Sequence, residues 1–367
     1  MGRAEWLGAM LLAAALLCRP EVGLNAAREA MAAWAQSVAP ALFPFMALTP
    51  LLTGPEAVRA YERLLGRMMR PLLKLPGSAA PAIVIAMTAG SPAGAIAAAR
   101  SARQAGLTRG QLERIVCCSC GLSPAFLMTG IGVSMLGSPA SGAVLLRSQI
   151  AAQIMMLIVT RGLRGSDLPA DPPPPSAAAE PVRMAVTGTL NVCGYMMLFS
   201  VIGAMLGQIL PGEAPRAALL CLLDLPSGAR ALCSMPMSDA LRLILLAAAS
   251  GLGGLCIAAQ NLSACSGVRP ARYAAARLAQ AALMALLTLA QLKMETKPIK
   301  IMEILPFSAL IACIMAVPVL IFWINNTFLN KQNLPQNAPI LLENGEKPQH
   351  VVVNMENKAN IMRSKEF

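Results

Sequence analysis

Histidine is almost missing from this chain: the single His350 sits in a polar C-terminal stretch, which excludes a histidine-based triad or metal site. Charge is scarce too. Only 13% of the residues are charged, against about a quarter in soluble domains, and that is too few to cover a surface facing water. Aromatic residues make up 4%, and Ala, Leu, Gly and Met carry the apolar content instead. Such small side chains let helix backbones approach closely in lipid, so helices fit and a barrel does not. No nucleophile–base pair can be assembled from the polar residues present, so no enzyme, catalytic residue, cofactor or metal is expected.

Apolar residues, at 56%, are what the chain has in abundance. Runs such as Pro81–Ala99, Leu145–Val159 and Ile304–Ile324 approach or reach the roughly 17–25 residues a helix needs to cross hydrocarbon. The expected fold is all-α: a polytopic transmembrane bundle in the cell membrane, with inverted repeats and two re-entrant or broken helical hairpins. The net charge of +12 comes from Lys and Arg in short loops between apolar runs, which reads as membrane topology rather than nucleic-acid binding. Ten cysteines lie mostly inside apolar stretches, where a thiol behaves as a small hydrophobe. Cys117-Cys118-Ser119-Cys120 contains a C-x-x-C spacing but lacks a second ligand pair nearby, so it reads as small residues at a helix contact.

The N-terminal Arg3–Cys18 is basic then apolar, either a signal peptide with Ala13-Ala14-Ala15 as its small residues or a retained first span. Further on, Arg59, Arg63, Arg67, Arg70 and Lys74 stand against Glu56 and Glu62, which assigns residues 54–74 to the cytoplasm. Arg100, Arg103, Arg109 and Arg114 follow the run Pro81–Ala99 and want that same side. A hairpin that enters and returns satisfies both flanks, and Gly90-Ser91-Pro92 supplies the break; an ordinary Pro-kinked span is the alternative. Backbone left free at membrane depth is tolerated where it is buried in protein or lines a polar cavity.

Two crossings, Ile115–Leu136 and Leu145–Val159, then lead to a proline-rich spacer at 169–181. The second half resembles the first at a shift of 161 positions, laying Ile83–Gly106 over Ile244–Gly267. On that pairing Gly251, Gly253 and Gly254 form the second break. Halves of opposite orientation with breaks at corresponding positions point to a secondary-transporter core. The pairing leaves Arg269, Arg272 and Arg277 outside, against the charge rule. From Met294 onward lysine replaces arginine and asparagine is frequent, as in an appended segment. The expected divisions are 1–30 (first span and outer loop), 31–168 and 182–293 (the repeats), 169–181 (linker), 294–325 (appended last span) and 326–367 (polar disordered tail).

Val38-Ala39-Pro40-Ala41-Leu42-Phe43-Pro44-Phe45, Gly90-Ser91-Pro92-Ala93-Gly94-Ala95, Ser123-Pro124-Ala125-Phe126 and Gly253-Gly254 with Gln260 resemble the YlbJ-type sporulation integral membrane proteins, over roughly residues 25–292. The resemblance implies kinship with nucleoside-recognition or Gate-domain proteins, similar to the core of concentrative nucleoside transporters, and a role in endospore formation in a forespore or mother-cell membrane. At the first break the family tends to have Ser-Gly-Tyr-Pro-x-Gly-Ala, whereas Ala89-Gly90-Ser91-Pro92-Ala93-Gly94-Ala95 lacks the aromatic ring. It also tends to have Asn before Ser-Pro, where Cys120, Gly121 and Leu122 stand.

The expected solute site comprises Gly90, Ser91, Pro92, Gly94, Ser123, Pro124, Gly251, Gly253, Gly254, Gln260 and Asn261. Gln260 and Asn261 supply neutral hydrogen-bonding groups, or else hold helices together. Asp224 is either an ion- or proton-coupling carboxylate or a helix cap. The partners are the lipid bilayer, with room for a small polar solute and a homo-oligomer, and no nucleic acid. Two functions fit: a secondary transporter of a small polar solute, or a non-transporting scaffold for spore-envelope (cortex) assembly acting through the loops at 54–74 and 161–183.

Overall fold

In lipid every backbone polar group must find a partner within the protein, which favours helices wherever apolar runs are long. The computed structural model describes residues 3–163, 165, 168–170 and 180–294, all within one compact unit. Most of the proline-rich spacer, the appended segment 294–325 and the tail 326–367 lie outside the described residues. No β-strand occurs among the described residues, only an isolated bridge between Thr108 and Pro169. Five helical stretches of 24 to 33 residues are long and apolar enough to cross a membrane. Large apolar side chains on them face outward, among them Leu190, Leu198 and Leu206, as a lipid-facing surface requires.

The helices follow a repeated order. The first half opens on a span made of α2 (Pro20–Ala33), a π-helical stretch (Trp34–Val38) and α3 (Ala39–Leu52). Pro40 and Pro44 cannot donate within that helix, and the wide π turns absorb the missing bonds. After α4 (Pro55–Leu73) come α5 (Ala80–Thr88) and α6 (Ala93–Ala105). These two pack on each other: a Cβ on Gly94 would lie 2.5 Å from the Ala86 Cα. The chain therefore doubles back at 89–92, and Pro81–Ala99 is a hairpin rather than a kinked span.

A broken span follows, with α7 (Arg109–Ser119), extended backbone at Cys120, and a π-helical stretch (Phe126–Met135). Its start is fixed by a reciprocal cap, since Gln111 N donates to Thr108 Oγ1 at 3.3 Å and Thr108 N to Gln111 Oε1 at 3.1 Å. The half closes on α8 (Pro139–Val159), capped by Ser138.

The second half repeats span, hairpin, broken span and span. They are α9 (Pro181–Gly207); α10 (Glu213–Leu223) doubled back on α11 (Leu225–Ser234); α12 (Asp239–Leu252) and α13 (Gly254–Ala264), interrupted at Gly253; and α14 (Pro270–Met294). A Cβ on Gly228 would run into the Cα of Cys221, so α10 and α11 touch as closely as α5 and α6 do.

The second hairpin is thus residues 213–234, and the glycine break at 251–254 belongs to a span that crosses. The pairing at a shift of 161 is overturned. The matching offset is 134, which places Pro92, Gly94, Ala95 and Ala97 on Pro226, Gly228, Ala229 and Ala231. With the interrupted stretch 109–135 taken as a crossing beside the five apolar spans, each half holds three, an odd number, which makes the halves inverted. The same count returns residues 265–269 to the side of residues 54–74, and Arg269 and Arg272 obey the charge rule. Arg269 and Arg272 meet Glu113 of α7, at 2.9 Å each.

At the N-terminus α1 (Arg3–Cys18) is helical, but its apolar part, Trp6–Cys18, is shorter than the five spans.

Candidate functional site

Two hairpin tips and two helix breaks leave backbone groups without helical partners, and the fold gathers all four. The tip of the first hairpin presses on the first break. Ser91 N donates to the Gly121 carbonyl at 2.8 Å, and a Cβ on Gly90 would sit 2.5 Å from Ser123 N. Gly90 also has φ of 74°, a conformation that costs other residues about 1–2 kcal/mol. In the second half the glycine is on the other partner. Gly254, with φ of 77°, lies where a Cβ would meet the carbonyl oxygens of Cys221, Leu222 and Leu223 at 3.2–3.3 Å.

Long polar side chains satisfy the first break. Gln149 of α8 accepts from Leu122 N at 3.1 Å and donates to Leu122 O at 2.8 Å, and Gln153 donates to Ser119 O at 2.6 Å. Arg277 of α14, only 4% exposed, donates to the carbonyls of Cys117 and Cys120 and stacks its guanidinium on Tyr273. A cation at the C-terminal end of α7 also complements the helix dipole. The Cys117–Cys120 run therefore serves through its carbonyls. No metal-binding group of His, Cys, Asp or Glu occurs among the described residues.

Between the tips lies a small pocket. Ser91 and Ala89 come from the first tip, Ser123 and Phe126 from the first broken span, Asp224 and Pro226 from the second tip, and Cys256 and Gln260 from the second broken span. Ser37 and Val38 of the π-helical stretch and Val192 and Met196 of α9 close its sides. A second pocket shares Val192 and Gln260 with the first and extends past Asn191, Thr187 and Ser263 toward the start of α9. That is the side of the basic loops.

Asp224 is 1% exposed and does two things. Its Oδ2 caps α11, accepting from Ser227 N at 3.2 Å and Ser227 Oγ at 2.6 Å. The carboxylate also meets the Cys256 thiol. Asp224 is therefore a helix cap that also lines the pocket.

Of the expected site residues, Ser91, Ser123 and Gln260 line the first pocket, while Pro92 and Gln260 line the second. Gly90, Gly94, Gly253 and Gly254 shape the tips and breaks rather than the pocket wall. Pro124 begins the helical turn after the first break. Gly251 lies away from the site, packed where a Cβ would stand 2.6 Å from the Ala281 Cα. Asn261 joins elements, donating to Ser91 Oγ at 3.0 Å and to Tyr273 OH at 2.8 Å. Sequence reasoning missed Cys256, Pro226 and Arg277. The repeated Pro-x-Gly-Ala of the two tips is the signal that finds Pro226.

No family model matches the chain, and no solved structure does. The chain is similar to the "Sporulation integral membrane protein YlbJ" of Bacillus subtilis (strain 168), 29% identical over 136 residues. That match takes in 37% of this chain and 33% of the relative, so it spans about a third of that protein's length. With five membrane-length helical stretches and this likeness, the chain is a multi-pass, all-helical membrane protein similar to a YlbJ-type sporulation integral membrane protein.

Proposed function

We propose that the chain is a secondary transporter of a small polar solute acting in spore formation. One observation carries the reading: the tips of two oppositely oriented hairpins and two helix breaks line a single pocket. Inverted halves that meet at such a pocket can rock against each other and expose it to either side in turn. The pocket wall holds hydroxyl, amide and thiol groups, one carboxylate and no Lys or Arg. That chemistry favours a neutral or cationic solute over an anion, because the carboxylate lines the wall while the guanidinium that acts on it, Arg230, is held outside the wall by Ser227 Oγ at 3.3 Å. Asp224, a buried carboxylate in the pocket wall, is the group we assign to proton or cation coupling.

A screen of nucleosides and other small polar metabolites by thermal shift on the purified protein identifies the solute, because a ligand that binds only the folded state raises its stability. Flux of that solute into proteoliposomes then tests the site. Gly90→Leu and Gly254→Leu each insert a side chain into a tip contact, and both are expected to stop flux. Unchanged flux in both variants, or a spore-envelope protein that binds both variants as tightly as the native chain while no solute moves, would replace transport with the scaffold reading.

A further inference from the structure

The basic segment 54–74 is a helix, and its faces are divided three ways. Tyr61, Met69 and Leu73 are buried in the core that α4 shares with α5 and α6, with Leu65 partly buried beside them, and Val58 is buried too. At 100° per residue, Leu64 and Met68 project about 120° and about 80° round from the centre of that face, and they are 47% and 56% exposed. Arg59, Arg63 and Arg67, spaced four apart, form a third stripe with Arg70, and all four are exposed.

Among the described residues, Arg70 alone of the four has a carboxylate partner, Glu62 at 2.6 Å. The helix is pinned in place at its C-terminal end. Arg114 donates to the Leu73 carbonyl, and Arg161 to the Leu72 carbonyl at 3.5 Å. It then turns through 102° into the segment 77–88, so if α5 enters the bilayer steeply, α4 lies close to the membrane plane.

A helix lying in that plane, with one apolar face on protein, a second apolar strip uncovered and an arginine stripe beside it, has the pattern of an interfacial element. We propose that α4 binds anionic phospholipid headgroups on the cytoplasmic leaflet through Arg59, Arg63 and Arg67, with Leu64 and Met68 set into the acyl boundary. Charge complementarity selects this occupant: three exposed arginines meet phosphate oxygens in forked geometry, and the acyl boundary beneath the headgroups covers the apolar strip beside them. The inference does not depend on the chain being a transporter.

The test uses the full chain with a fluorophore on Met68→Cys in a background free of other exposed cysteines, reconstituted with lipids carrying a shallow nitroxide quencher. Quenching by labelled phosphatidylglycerol is expected to exceed quenching by labelled phosphatidylcholine by about fivefold or more, the factor that a single arginine near an anionic surface supplies. Arg59→Gln, Arg63→Gln and Arg67→Gln together are expected to equalise the two lipids, and high salt to reduce the difference in the native chain. Equal quenching in the native chain overturns the proposal, and so does a fluorophore that an aqueous quencher reaches while lipid quenchers do not. The native-chain comparison decides the matter even where the triple variant fails to fold.

Discussion

Replacing Gly90 by Ala probes the doubled-back tip with one added methyl group. The φ of 74° at this position costs an L-residue about 1–2 kcal/mol. The new Cβ would stand 2.5 Å from Ser123 N and 2.8 Å from the Leu122 carbonyl carbon. Both are backbone atoms of the first break, so the tip must withdraw. Withdrawal breaks the bond from Ser91 N to Gly121 O, a net loss of about 0.5–1.5 kcal/mol. The sum is about 1.5–3.5 kcal/mol.

Gly106→Ala is the control. Its φ is 62°, but a Cβ there meets nothing within 4 Å, so only the conformational cost applies. Fluorescence-detected size exclusion after heating gives the temperature at which half of each protein stays monodisperse. Gly90→Ala is expected to fall clearly below Gly106→Ala, and equal temperatures for the two would refute the contact between tip and break.

Arg277→Met removes two charge-assisted bonds to the carbonyls of Cys117 and Cys120 and is expected to destabilise the protein by about 3 kcal/mol or more. Arg277→Lys should recover part of that loss in the same heating assay, because an ammonium can reach one carbonyl but lacks the fork. Asp224→Asn keeps an oxygen for the Ser227 cap and loses the charge. It is expected to leave thermal stability close to native and to remove the dependence of solute flux on an imposed proton or cation gradient; flux that keeps that dependence would take coupling away from Asp224. The pair Ser91→Cys with Asn261→Cys, placed where the native side chains touch at 3.0 Å, should cross-link under mild oxidation or with mercuric ion in a cysteine-free background. No cross-link would separate the first tip from α13.

The first hairpin was legible because both of its flanks are basic and Gly90-Ser91-Pro92 interrupts an apolar run. The second was hidden by the same logic. Its flanks carry only Arg216 and Arg242 beside Glu213 and Asp239, too little charge to show that both ends share a side. Gly253-Gly254 looks more like a turn than Leu223-Asp224-Leu225 does, and in an alanine-rich chain the shift of 161 collects coincidental matches. Only the short Pro-x-Gly-Ala repeat, conspicuous once Gly94 and Gly228 are seen at helix crossings, corrects it.

Within the site, Ser91, Ser123 and Gln260 stood out as polar residues in apolar frames. Cys256 and Val38 did not, because nothing in a thiol or a valine separates a pocket wall from a core. Arg277 was read with Arg269 and Arg272 as one charge cluster. Its partners are main-chain carbonyls, and carbonyls leave no mark in a sequence.

Sided labelling of single cysteines tests the inverted pair of hairpins most directly. With a membrane-impermeant maleimide, Lys74→Cys, Arg103→Cys and Arg269→Cys are expected to react from one face of the membrane, and Gly212→Cys and Met237→Cys from the other. Labelling of Lys74→Cys and Arg103→Cys from different faces, or of Gly212→Cys and Met237→Cys from different faces, would contradict the architecture on which the pocket depends.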